Sequence, residues 1–121
     1  MERAAKVERP MGPGKIPKRI QPILQESKSR LEALYGKRLK GIILYGSYAR
    51  GQARKDSDID LIVLLERMRD QMAELRKCGR ELHALDFKYD TLISVIPLDA
   101  REFQSQNTPL ILNARKEGIR P

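Results

Sequence analysis

Residues 39–65 read LKGIILYGSYARGQARKDSDIDLIVLL, two apolar runs around a polar stretch that holds two glycines. The first run, Leu39 to Tyr45, has the length and apolar content of a buried strand. The second, Asp58 to Leu65, alternates with the two-residue period of a strand. Ile59, Leu61, Val63 and Leu65 point one way, and Asp58, Asp60, Ile62 and Leu64 point the other. Asp58 and Asp60 therefore share a face, about 7 Å apart at Cα. Gly46 and Ser47 directly follow the first strand, and a short helix is expected to start there. A glycine allows close backbone approach, and a serine at a helix start adds a hydroxyl among free N–H donors. Together they suit a phosphate group. Two carboxylates on one face repel unless a cation neutralises them, and Mg²⁺ accepts one or two carboxylates plus water and phosphate oxygens.

The rest of the chain arranges itself around this pair of strands. A helix is expected over 21–35, with Pro22 in its first turn, an apolar stripe of Ile23, Leu24, Leu31 and Leu34, and Gly36 as its stop. A long amphipathic helix follows over about 67–85, with Met68, Met72, Leu75, Leu82 and Leu85 on its buried side. Tyr89 to Ile96 reads as a third strand ended by Pro97. Two short helices complete the chain between Asp99 and Gly118, broken near 107–109 and capped by Asp99 and Thr108. Residues 1–19 hold three prolines and two glycines and read as a basic, flexible arm. Residues 20–121 form the expected domain.

Composition narrows the classes. The chain has 121 residues, 40% hydrophobic and 33% charged, close enough to globular averages to argue against wholesale disorder. The formal charge is +8, but residues 1–40 carry 11 basic and 4 acidic residues while the rest is close to neutral. The basic arm is read first as a solubilising segment, with a nucleic-acid contact or a partner-binding tail as the alternatives. Cys78 and His83 are single, which excludes a disulfide within the chain, a cysteine-based zinc site and a multi-histidine metal site. The apolar runs are too short to cross a bilayer, so no membrane role is expected. A free thiol without an export signal points to the cytoplasm.

Gly46-Ser47, ten residues, then Asp58-Ile59-Asp60 resembles the GS-x10-DxD signature of the DNA polymerase beta-like nucleotidyltransferase superfamily. Ser57, Leu61 and the Gly51 turn match its usual flanks, and the short length resembles its minimal nucleotidyltransferase branch. The resemblance covers residues 20–120. It implies an α+β fold, a small mixed β-sheet with helices packed on one face. It implies an enzyme in which Asp58, Asp60 and a third carboxylate hold two Mg²⁺ ions and carry catalysis. Asp90, at the start of the third strand, is the best match for that carboxylate, with Asp86 as its competitor. Gly46, Ser47 and Arg50 would bind the triphosphate of ATP. Ser94 shares the side of Asp90 and is read as small-residue packing, Tyr48 and Cys78 as packing, and His83 as surface.

The resemblance also implies an acceptor. Members of this branch pair with HEPN-domain proteins, and as antitoxins they transfer AMP to a tyrosine of the toxin. Transfer to RNA or to a small hydroxyl compound, or a binding module without turnover, are the other readings.

Overall fold

A computed structural model describes residues 16–121. Three strands form one sheet in the order β1 (Leu39–Tyr45), β2 (Ile59–Leu65), β3 (Ile93–Asp99). β1 and β2 are antiparallel, with Tyr45 opposite Asp60. β2 and β3 are parallel, with Asp60 opposite Ser94. A parallel pair needs a crossover, and the long helix α2 (Gln71–Tyr89) supplies it.

The alternation read from β2 divides the core as expected. Ile59, Leu61, Val63 and Leu65 face helix α1 (Gln21–Tyr35) and α2, packing with Ile23, Leu24, Leu31, Cys78, Leu82 and Leu85. Ile62 and Leu64 face the other way, onto Ile43 and onto Phe103 of α3 (Ala100–Ser105) and Ile111 and Ala114 of α4 (Pro109–Glu117). The two long helices thus cover one face of the mixed sheet, and the short C-terminal pair adds a second, smaller layer on the other. That second layer explains why β2 is apolar on both sides. The chain end also closes an edge: Leu44 and Ile119 exchange backbone hydrogen bonds of 2.7 and 2.8 Å.

The helix signals hold where they rest on capping chemistry. Asp99 accepts the N–H groups of Arg101 and Glu102, and Thr108 accepts that of Ile111. Gly36 ends α1 with a positive φ of 54°.

Several expectations are corrected. Met72 is 58% exposed and not in the core, because the buried stripe of α2 runs through Glu74, Cys78, Leu82 and Leu85. Leu34 lies off the α1 stripe, and Tyr35 takes its place. The short helix after Gly46 is a single turn, closed by the Arg50 N–H on the Gly46 carbonyl at 3.1 Å. Pro97 does not end the third strand but sits inside it, opposite Val63. Among the described residues β3 is an edge strand, where alternate N–H groups need no sheet partner, so a proline is tolerated.

The boundary before β3 moves most. α2 continues through Tyr89, and β3 begins only at Ile93. The last turn of α2 is tied to α1: Lys88 Nζ and the Tyr89 hydroxyl both donate to Glu26 Oε1, at 3.0 and 2.8 Å. Residues 16–19, read as part of the arm, pack on the domain, with Ile16 buried and a 3₁₀ turn over Lys18–Ile20. The remainder of the expected arm lies outside the described residues.

Leu61 lies in the central strand with no exposed surface. Its truncation to alanine is expected to cost about 2–5 kcal/mol in urea unfolding. Leu112→Ala, at a position 46% exposed, is expected to stay within about 0.5 kcal/mol of the wild type.

Candidate active site

The end of β1 and the starts of β2 and β3 meet at one rim of the sheet, and the signature residues gather there. Register sets Tyr45, Asp60 and Ser94 side by side across the three strands. Side chains paired in register project to the same face. Asp58 lies just before β2, on the face of Asp60 by alternation, and is exposed. The N–H of the intervening Ile59 donates to the Leu92 carbonyl at 2.9 Å, which ties this rim to the approach to β3.

Gly46 is required on two grounds. Its φ is 75°, in the region that disfavours side chains, and a Cβ placed there would run into the carboxylate of Asp60. The close approach brings the Gly46 backbone directly against the Asp60 carboxylate. Arg50 closes that turn, donates through Nε to Gln52 Oε1 at 3.2 Å and is otherwise exposed.

The loop that follows is held from outside the signature. Tyr48 is 2% exposed and packs in the core, as expected. Arg19 Nη2 donates to the Tyr48 hydroxyl at 2.8 Å and to the Arg54 carbonyl at 3.0 Å, with its guanidinium over the Tyr48 ring. The sequence reading missed Arg19, whose only signal was one positive charge in a stretch taken as an arm. Ser57 accepts the Arg54 N–H at 2.7 Å and returns its own N–H to the Arg54 carbonyl at 3.0 Å. The loop thereby delivers Asp58 at a fixed point.

Asp90 does not occupy the place expected of it. It is the C-cap of α2, exposed, with a left-handed φ of 50°, and its N–H bonds to the Asp86 carbonyl. Asp86, the competitor, spends one carboxylate oxygen on the Ile93 N–H at 3.0 Å and so anchors the start of β3. Among the described residues no group of three or more His, Cys, Asp or Glu side chains is assembled to hold a metal ion. The structure brings together Asp58, Asp60, Gly46, Ser47 and Arg50, and leaves Asp90 outside that set. His83 is on the surface, and Cys78 is buried against the Tyr35 hydroxyl at 3.2 Å.

Burial pushes the Asp60 carboxyl above its ordinary value, and the neighbouring Asp58 charge pushes it further; Arg50 opposes both. Tyr45 beside it is raised in turn, first by burial and then by the Asp60 charge. The pair is therefore a local concentration of negative charge that the fold does not fully neutralise. Two such carboxylates beside the Gly46–Ser47 turn fit one Mg²⁺ whose shell is completed by phosphate oxygens and water.

The raised Asp60 has a consequence for stability. A folded-state value above the unfolded one favours the fold below the ordinary value of 3.8, and that advantage is lost as pH rises through the folded value. Asp60→Asn is therefore expected to melt at a higher temperature than the wild type at pH 7 without divalent ions, the gap closing below about pH 4. Melting scans against pH check this. An equal or lower melting temperature at pH 7 would contradict it.

Comparison with known proteins bears on the family and the fold. The nucleotidyltransferase domain family matches residues 24–118. A candidate protein adenylyltransferase of Methanocaldococcus jannaschii is 35% identical over 77 residues, 64% of this chain and 77% of that protein. The protein adenylyltransferase MntA of Thermococcus cleftensis is 43% identical over 47 residues, 39% of this chain and 46% of that protein. Among solved structures, a toxin–antitoxin with AMP-PNP aligns at a TM-score of 0.55 and 23% identity, covering 78% of this chain and 68% of that one. A candidate minimal nucleotidyltransferase aligns at 0.52 and 22%, covering 84% and 95%. At that identity the two structures establish the shared α+β fold alone. With the family match over most of its length, the chain belongs to the nucleotidyltransferase domain family and is an enzyme of the nucleotidyltransferase class.

Proposed function

We propose that the chain transfers AMP from ATP to a hydroxyl of a partner protein, in a Mg²⁺-dependent reaction in the cytoplasm. The observation that carries this reading is the contact of the Gly46 backbone with the Asp60 carboxylate, with Asp58 on the same face by alternation. A triphosphate needs hydrogen-bond donors and a counter-charge within a few ångströms of each other, and this rim offers both.

Each residue has a task in that reading. The Ser47 hydroxyl and the free N–H groups of the turn bind the β- and γ-phosphates, and Arg50 supplies a positive charge to them. Asp58 and Asp60 hold the ion. When bound, Mg²⁺ supplies neutralisation of the triphosphate charge. The acceptor oxygen attacks the α-phosphorus in line, the bond from that phosphorus to the β-phosphate oxygen breaks, pyrophosphate leaves and the acceptor proton passes to water. The rate then comes from orientation and charge neutralisation, so loss of a single charged contact is felt strongly. Asp90, at the C-cap of α2 and ahead of β3, is given no metal-binding task in this reading.

The relatives support a protein acceptor. Several carry the name protein adenylyltransferase, and one solved neighbour is the toxin–antitoxin MntA-HepT. A HEPN-type partner with a tyrosine acceptor is the corresponding proposal for this chain. RNA is the competing acceptor, through the basic N-terminal segment.

Incubation with ATP labelled at the α-phosphate, Mg²⁺ and a cell extract tests the reading. A labelled protein is expected, and Asp58→Ala/Asp60→Ala is expected to lower the label by roughly 100-fold or more. Arg50→Ala is expected to lower it about tenfold, the loss of one charge-assisted contact of ~1.5 kcal/mol. Label in RNA would replace the protein acceptor. Absence of carboxylate-dependent label with any nucleoside triphosphate would overturn transfer itself.

A further inference from the structure

The position beside Asp60 that a third carboxylate would need is filled by a serine. β2 is flanked at this rim by two strands only, and register sets the neighbours of Asp60 as Tyr45 on β1 and Ser94 on β3. Neither is acidic. Alternation extends the same face of β3 to Ile96, which pairs with Ile62, and backward to Leu92, whose carbonyl meets the Ile59 N–H. Within β3 that face therefore carries Ser94, Ile96 and Leu98, with Leu92 just ahead of the strand and no carboxylate on it. The two acidic residues ahead of β3 lie outside the strand, Asp86 within α2 and Asp90 at its C-cap. Asp86 bonds the Ile93 N–H, and Asp90 is turned into the left-handed cap of α2. The absence of a three-ligand group among the described residues agrees with this census.

The donor set fits one divalent ion and does not fit two. One Mg²⁺ takes one or two carboxylates and completes its shell with phosphate oxygens and water. Two ions held about 3.5–4 Å apart, as in two-metal phosphoryl-transfer sites, place about 4+ of charge against the protein. Here the second ion would find a neutral hydroxyl where the first finds carboxylates.

We infer that this site holds a single divalent ion per bound nucleotide, on Asp58 and Asp60, with Ser94 standing in the third ligand position and Asp90 outside the metal site. The inference rests on the nucleotidyl-transfer reading above. It also gives Ser94 a specific role: the residue keeps the space beside Asp60 polar without adding a negative charge. A carboxylate placed there would supply the missing ligand.

The test is to count ions and not to measure turnover. The whole chain is titrated with Mn²⁺ in the presence of α,β-methylene-ATP, and bound ions per chain are read from the electron paramagnetic resonance signal of free Mn²⁺. The wild type is expected to bind one ion per chain in the complex, and Asp90→Asn and Ser94→Ala also one. Ser94→Asp is expected to bind two. Two ions in the wild type, or the loss of an ion on Asp90→Asn, would overturn the inference while leaving nucleotide binding intact. If the analogue does not bind the wild type at all, the nucleotidyl-transfer reading falls, and this inference with it. Should Ser94→Asp fail to fold, the wild-type and Asp90→Asn counts still decide.

Discussion

The approach of the Gly46 backbone to the Asp60 carboxylate governs the rest of the molecule. β2 is apolar and buried on both faces from Leu61 to Leu65, yet its second residue is an acid. That acid can be kept only at the rim, where the sheet gives way to solvent and where the adjoining turn has no side chain to displace it. A single glycine with positive φ therefore sets the spacing between the Gly46–Ser47 turn and the Asp60 carboxylate. The long helices on one face and the short ones on the other fix the strands, and the strands fix that spacing.

The same contact explains a tension between stability and activity. Burial and the Asp58 charge both oppose ionisation of Asp60, and Arg50 offsets this only in part. The fold carries unneutralised negative charge at its rim, which a cation brought in with a triphosphate would relieve. Elsewhere buried charge is paired: Glu74 receives the Tyr35 hydroxyl at 2.9 Å and Arg38 Nη2 at 3.1 Å. The contrast marks the Asp58–Asp60 rim as the place where charge is left for a ligand.

Much of this was legible from residues alone. The two-residue alternation after Asp58 gave the facing of β2, and side-chain caps gave the helix starts at Asp99 and Thr108, because both rest on local geometry. The features that escaped depend on contacts distant in sequence. Tyr89-Asp90-Thr91 looks like a strand start by composition, but Glu26 on α1 holds Lys88 and Tyr89 in a last helical turn. Pro97 reads as a stop unless the strand is known to be an edge. Arg19 strapping the loop at Tyr48 and Arg54 spans 29 and 35 residues and has no local signature. The shift at Tyr89 moved the candidate site most, since it removed Asp90 from β3 and brought Ser94 opposite Asp60.

The central claim is that the nucleotide binds where the Gly46–Ser47 turn meets Asp58 and Asp60. Amide chemical-shift mapping by nuclear magnetic resonance, with Mg²⁺ and α,β-methylene-ATP, tests it directly. The account predicts shifts concentrated at residues 46–51 and 58–60, with Ser94 among the responding neighbours and the exposed face of α1 unchanged. Shifts confined to the α1 groove around Leu24, Gln25 and Lys28, with residues 46–60 silent, would contradict it.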